Sequence, residues 1–265
     1  MVRLPRLLRL PNKLRRRARR NRIMALLLLL LLLVLLPVLM VLYIIYRPPA
    51  LLVRYMMHLF PDVLWHVDTQ RKVVALTIDD APSQHTADIL RVLQSHQAHA
   101  TFFVIGAQAQ DQARKDILRD IVGAGHELGN HAWRDEGSIT LSDDRLRTEI
   151  TDVKTIITHT YTDADKPLPP NYFRPGGGLF SSRMRALVDK LGHRIVLGDV
   201  YPHDPQIPWA WHNSWHILSM VRPGSIIICH DRRSWTVPML QRVLPELKKR
   251  GYEVVTVSQL LKEAT

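Results

Sequence analysis

The stretch Val73-Val74-Ala75-Leu76-Thr77-Ile78-Asp79-Asp80-Ala81-Pro82 decides how the chain is read. Its apolar, partly β-branched run fits a strand covered on both faces, as the strands of a parallel sheet are. The run then delivers two adjacent carboxylates to its C-terminal end, where parallel α/β folds place their chemistry. One Asp capping the next helix or turn, with the other solvated, is the simpler account. Four further strand ends carry polar groups and argue against it: His131 with Asp135, Arg174, Asp199 with Asp204, and His230.

Outward from that stretch, short β-rich runs alternate with helical patterns, which is the signature of βα units. Strands are expected at 73–78, 101–105, 127–130, 172–174, 194–197, 225–229 and 253–257. Helices are expected at 86–95, 112–123, 142–161, 181–191 and 235–250. About seven strand-helix units within residues 71–265 fit an irregular (β/α) barrel or an open doubly wound sheet. Pattern alone does not choose between them. Residues 47–70, with Pro48, Pro49 and Pro61, read as a juxtamembrane connector.

Residues 1–22 hold ten Lys or Arg and no acid, and residues 23–46 are uncharged and mostly Leu. At about 1.5 Å per residue, the uncharged stretch reaches about 36 Å, enough to cross a hydrocarbon core of about 30 Å as a helix. It is too long for the apolar core of a cleaved signal peptide and reads as a signal anchor. The positive-inside rule puts the basic tail in the cytosol and residues 71–265 across the membrane. An Arg-rich mitochondrial presequence followed by a stop signal fits the same composition.

Subtracting the ten tail cations from the net charge of +12 leaves about +2 for the rest of the chain. The basicity therefore serves topology and contact with membrane lipid, and no nucleic acid partner is expected. The single cysteine, Cys229, excludes an internal disulfide. Its place in an apolar strand makes it a buried, inert thiol.

The polar strand ends suggest metal-dependent hydrolysis. His131 and Asp135 are four residues apart, so one helical turn would put both on one side as a chelate. With Asp80 they make three protein ligands, and the remaining positions stay open for water and substrate, as in a catalytic zinc site. Arg174 precedes Pro175-Gly176-Gly177-Gly178, where glycines allow close approach and leave an amide free as an oxyanion donor. His230 closes a strand and is placed to donate a proton. His212 and His216 also lie one helical turn apart, in a Trp-rich segment read as an amphipathic helix whose Trp and His face the barrel.

In this order the motifs resemble the polysaccharide deacetylases, the nodulation-protein-B-like domain of carbohydrate esterase family 4, which includes the chitin deacetylases. The resemblance covers about residues 71–257. It implies a distorted (β/α) barrel, preceded here by one transmembrane helix, and metal-dependent removal of N-acetyl or O-acetyl groups from a glycan such as chitin or its oligomers. Carried over by position, Asp79 is the general base, Asp80 and His131 are metal ligands, and His230 is the general acid. Arg174 orients Asp79, the Gly177 amide holds the oxyanion, and Asp204 orients His230. The cofactor implied is one divalent ion, zinc first, with cobalt or manganese as substitutes.

Three departures stand out. Asp135 occupies the place of a second His, Gly176-Gly177 replaces Pro-Tyr, and Gly198 and Pro205 replace tryptophans. The candidate sugar-contacting aromatics that remain are Trp133, Trp209 and Trp211. A glycan-binding protein on the same fold without turnover is the competing expectation.

Overall fold

The computed structural model describes residues 12–264. The chain divides into a unit ending at Pro49 and a unit beginning at Ala50. In the first, α1 (Asn12–Tyr46) contains the 28-residue stretch Arg19–Tyr46, within which an 18-residue window has mean hydropathy 3.3 and no buried residue, so it is long and apolar enough to cross a membrane. The helix begins within the basic tail, and the rest of that tail, residues 1–11, lies outside the described residues.

The second unit opens with α2 (Ala50–Leu59) and β1 (Val63–Leu64). It continues with β2 (Val73–Ala81), α3 (Thr86–Ser95), β3 (Ala100–Val104), α4 (Gln112–Gly123), β4 (Glu127–Asn130) and α5 (Asp143–Asp163). Then come β5 (Tyr172–Phe173), α6 (Ser182–Lys190), β6 (Arg194–Val196), α7 (Ala210–Met220), β7 (Ile226–His230), α8 (Thr236–Lys249), β8 (Glu253–Val255) and α9 (Val257–Leu261). Each of the seven strands expected from the sequence is present. The segment read as a connector supplies one more, because the buried Val63 and Leu64 pair with Ile195 and Val196. Its three prolines masked that short strand.

All strand pairs are parallel, in the order β1-β6-β5-β4-β3-β2-β7, with β8 also on β2. Two isolated bridges, Val200, just past β6, with Ile227 of β7 and His66, just past β1, with Ser225, draw the strip round, making a distorted (β/α) barrel. The geometry resolves the choice left open by pattern. β2 is buried at all nine positions and is bonded to β3, β7 and β8, so it is the central staff of the sheet. Its Val74, Leu76 and Ile78 pack with Phe102, Ile89, Leu93 and Leu240 in the largest core cluster. Each such side chain contributes about 1.5–3 kcal/mol on burial. Helices start on side-chain caps where the sequence offers them: Asp111, Ser142 and Ser181 each accept an amide hydrogen of the first turn.

Candidate active site

Adjacent side chains on a regular strand point to opposite faces, so an Asp-Asp pair should not serve one site. β2 escapes this rule by a bulge: Ile78 pairs with Phe102 and Ala81 with Val104, so three steps on β2 match two on β3. Asp80 absorbs the extra residue in the left-handed region, at φ 64°. Such a conformation is costly for a non-glycine residue and clusters at functional sites. Both carboxylates are buried at the strand's end.

Asp79 is held by Arg174, whose Nη1 donates to Asp79 Oδ1 at 2.6 Å and to the Thr77 hydroxyl at 2.6 Å. Nε and Nη2 of the same guanidinium donate to the carbonyls of Val196 and Leu197, and its face lies over the Phe103 ring. Burial lowers the Arg174 pKa, opposed by the charge of Asp79. Removing such a pair of charges from water is offset by close pairing and by the further hydrogen bonds the guanidinium makes. Thr77 was not singled out from sequence, although it sits two positions before Asp79 on the same face of a strand, which is the signal that finds it.

Asp79 also pairs in register with His230 of β7, and His230 Nε2 stands 4.0 Å from Asp79 Oδ2. Behind the imidazole, Nδ1 donates to Asp204 Oδ1 at 3.0 Å, and the His230 amide donates to Asp204 Oδ2. Asp204 is itself fully buried, and its carbonyl accepts from Trp235 Nε1. Burial disfavours the imidazolium. The charge and hydrogen bond of Asp204, then the charges of Asp79 and Asp80, outweigh it and raise the His230 pKa to about 9. Tyr201 lies edge-on to the His230 ring, a neighbour not foreseen from sequence.

On the other side of the pair, His131 Nδ1 lies 2.7 Å from the Arg174 carbonyl. A carbonyl only accepts, so Nδ1 carries a proton, and in the neutral ring that leaves the lone pair of Nε2 for a metal. That Nε2 stands 3.7 Å from Asp80 Oδ1. Burial raises the Asp80 pKa, partly offset by His131 and His230. One imidazole nitrogen and one carboxylate oxygen side by side fit two ligands of a divalent ion with mixed N/O preference.

The third expected ligand is not drawn in with them. Among the described residues no three His, Cys, Asp or Glu converge closely enough to hold an ion. Asp135 is half-exposed and pairs with Arg232 Nη1 at 3.5 Å. The helical-turn argument for His131 and Asp135 fails, because the chain after β4 is irregular from His131 to Gly137.

The glycine turn 176–178 follows β5. A Cβ on Gly176 would sit 2.1 Å from the Glu136 carbonyl, so no larger residue fits there, while Gly177 is exposed with φ 74°. Trp133 packs partly buried against the core beside Gly106. His212 and His216 do fall on one helix, α7, but the expectation that its tryptophans face the barrel is overturned: His216 is buried while Trp209, Trp211 and Trp215 are exposed. Trp209 and Trp211 lie nearly parallel, ring centroids 6.4 Å apart. The strand-end residue Asp199 takes no part in the site. It binds His66, Arg222, Ser225 and the Ile226 amide and ties the ends of the sheet together.

The family model for polysaccharide deacetylases matches residues 66–196. A peptidoglycan-N-acetylglucosamine deacetylase of Bacillus cereus is 32% identical over 217 residues, covering 76% of this chain and 93% of that protein. A family 4 acetyl xylan esterase of Clostridium thermocellum, solved with a cobalt ion, superposes with a TM-score of 0.64 at 32% identity, covering 72% of this chain and 91% of the other. A family 4 pseudoenzyme of Bacillus anthracis superposes with a TM-score of 0.67 at 25% identity, covering 76% of this chain and 69% of the other. With its two buried carboxylate-centred pairs at the head of a distorted parallel barrel, the chain belongs to the polysaccharide deacetylases of carbohydrate esterase family 4.

Proposed function

We propose that the chain is a membrane-anchored, metal-dependent deacetylase that hydrolyses the acetamide of N-acetylglucosamine units in a glycan, with acetyl esters as secondary substrates. Chitin, its oligomers and peptidoglycan all present that unit. The carrying observation is the line Arg174, Asp79, His230, Asp204, in which a fixed carboxylate and a protonated imidazole face each other across 4.0 Å. General acid-base chemistry on an amide requires such a pair.

Asp79 accepts a proton from the attacking water, whose oxygen forms the new bond to the acetyl carbon. The Gly177 amide donates to the carbonyl oxygen as it becomes negative. His230 gives its Nε2 proton to the leaving nitrogen as the C–N bond breaks, so acetate and a free amine result. Asp204 keeps the imidazole in its cationic, correctly turned form. Asp80 and His131 would hold the divalent ion, most readily zinc, with Asp135 as third ligand once it leaves Arg232. When bound, the ion supplies positive charge that acidifies water and stabilises the oxyanion. Exposed Trp209 and Trp211, with Trp133, would supply apolar faces for sugar rings.

The direct test is acetate release by the metal-loaded full chain from N-acetylglucosamine oligomers and from acetylated xylan. The second reading, glycan binding without turnover, draws on Asp135 in the place of a His and on its pairing with Arg232. Protein that holds one metal ion and binds these glycans yet frees no acetate supports that second reading. For topology, the basic tail is cytosolic and the barrel extracytoplasmic. Protease added to sealed vesicles then spares the unit from Ala50 onward, and its digestion without detergent reverses the assignment.

A further inference from the structure

Three residues, Arg47-Pro48-Pro49, separate the end of the membrane-length helix α1 at Tyr46 from the start of α2 at Ala50. Three residues span at most about 10 Å, and the headgroup layer on each side of a bilayer is about 5–8 Å deep. If α1 crosses a bilayer, the first turn of α2 is therefore tethered to that layer. What α2 exposes suits it.

One side of α2 carries the buried Val53, with Met56 and Met57 half-buried. The opposite side carries Leu51 at 77% exposure, Tyr55 at 56% and Leu59 at 44%, spaced four residues apart and so in one stripe. Arg54 and His58 are exposed too, and their spacing sets them along one edge of that stripe. An aliphatic and tyrosyl stripe edged by basic side chains is the pattern of helices that lie in the membrane interface. A ten-residue helix has little stability alone, so two apolar faces indicate two partners.

We propose that α2 is an interfacial helix that docks the barrel onto the bilayer crossed by α1, with Leu51, Tyr55 and Leu59 below the phosphates and Arg54 reaching anionic headgroups. This rests on the reading of α1 as a membrane span, and it goes beyond an anchor: the domain is held at the lipid surface by its own helix.

The experiment uses the full chain in phosphatidylcholine/phosphatidylglycerol nanodiscs. Nitroxide labels are placed one at a time at L51C, Y55C, L59C and, as aqueous references, L168C and L179C. Cys229 is buried and takes no label in the native chain. The expected result is several-fold higher oxygen relative to nickel-chelate accessibility at 51, 55 and 59 than at 168 and 179. Equal accessibility at all five positions overturns the docking, as does spin–spin broadening at 51, 55 and 59, which would assign the stripe to a second copy of the chain. Resistance of the wild-type chain to alkaline extraction from membranes tests α1 separately, so loss of the anchor and loss of the docking are distinguishable.

Discussion

His230 Nε2 stands 4.0 Å from Asp79 Oδ2, and the two residues are direct partners in the β2–β7 ladder. That gap exceeds a hydrogen bond, so the two groups do not satisfy each other. It leaves the proposed acid and base free to act on a substrate between them.

Removing either group separates proton transfer from binding. Asp79→Asn and His230→Ala are each expected to lose about 10²–10⁴ in kcat, the usual contribution of one positioned acid or base. Asp79→Asn should hold metal at wild-type stoichiometry, because Asp80 is the proposed ligand. Metal analysis beside acetate-release kinetics checks both, and loss of metal in Asp79→Asn would exchange the two roles.

The pH profile follows from the imidazolium. His230 works as an acid only while protonated, so with its pKa raised to about 9 the rate falls as pH rises through about 9. Asp204→Asn removes the charge that holds the proton on, so the alkaline limb moves to lower pH. A limb that stays in place in Asp204→Asn assigns the ionisation to another group.

Metal binding is expected to depend on His131 and not on α7. His131→Ala should lose most of the bound divalent ion and His212→Ala none, read by titration calorimetry with zinc and cobalt. Asp135→His supplies a neutral ligand without a partner charge and should bind at least as tightly as wild type. Tighter binding by Asp135→Ala than by wild type would remove residue 135 from the ligand set.

Arg174 is as much a folding residue as a functional one. Arg174→Leu leaves Asp79 buried without its cation and strips donors from Thr77, Val196 and Leu197. Breaking a buried pair in this way costs about 3–5 kcal/mol. Denaturant unfolding measures it, and the double variant Arg174→Leu with Asp79→Leu should recover part of the loss.

The barrel strands were legible because burial on both faces writes itself as unbroken apolar runs, as in 73–78 and 225–229. β1 was not, since two paired residues among prolines carry no periodicity. The polar strand ends revealed Asp79, Asp80, Arg174 and His230, and the resemblance ordered them. The bulge that turns Asp79 and Asp80 into one site has no sequence mark, because it is a mismatch with the neighbouring strand β3. The helical-turn argument for His131 and Asp135 misled, because a spacing of four implies one face only inside a helix and the chain there is irregular. The tryptophans of α7 misled in the opposite way, since the helix formed and turned them outward.

β2 is bonded to strands along both edges and buried throughout. Its amides should therefore be the slowest in the molecule to exchange with deuterium, opening only when the whole barrel opens. Because Asp79 and Asp80 ride on that strand, warming should not melt the proposed catalytic pair ahead of the rest. Activity and fold should disappear at the same temperature, without an intermediate range in which an intact barrel stands idle.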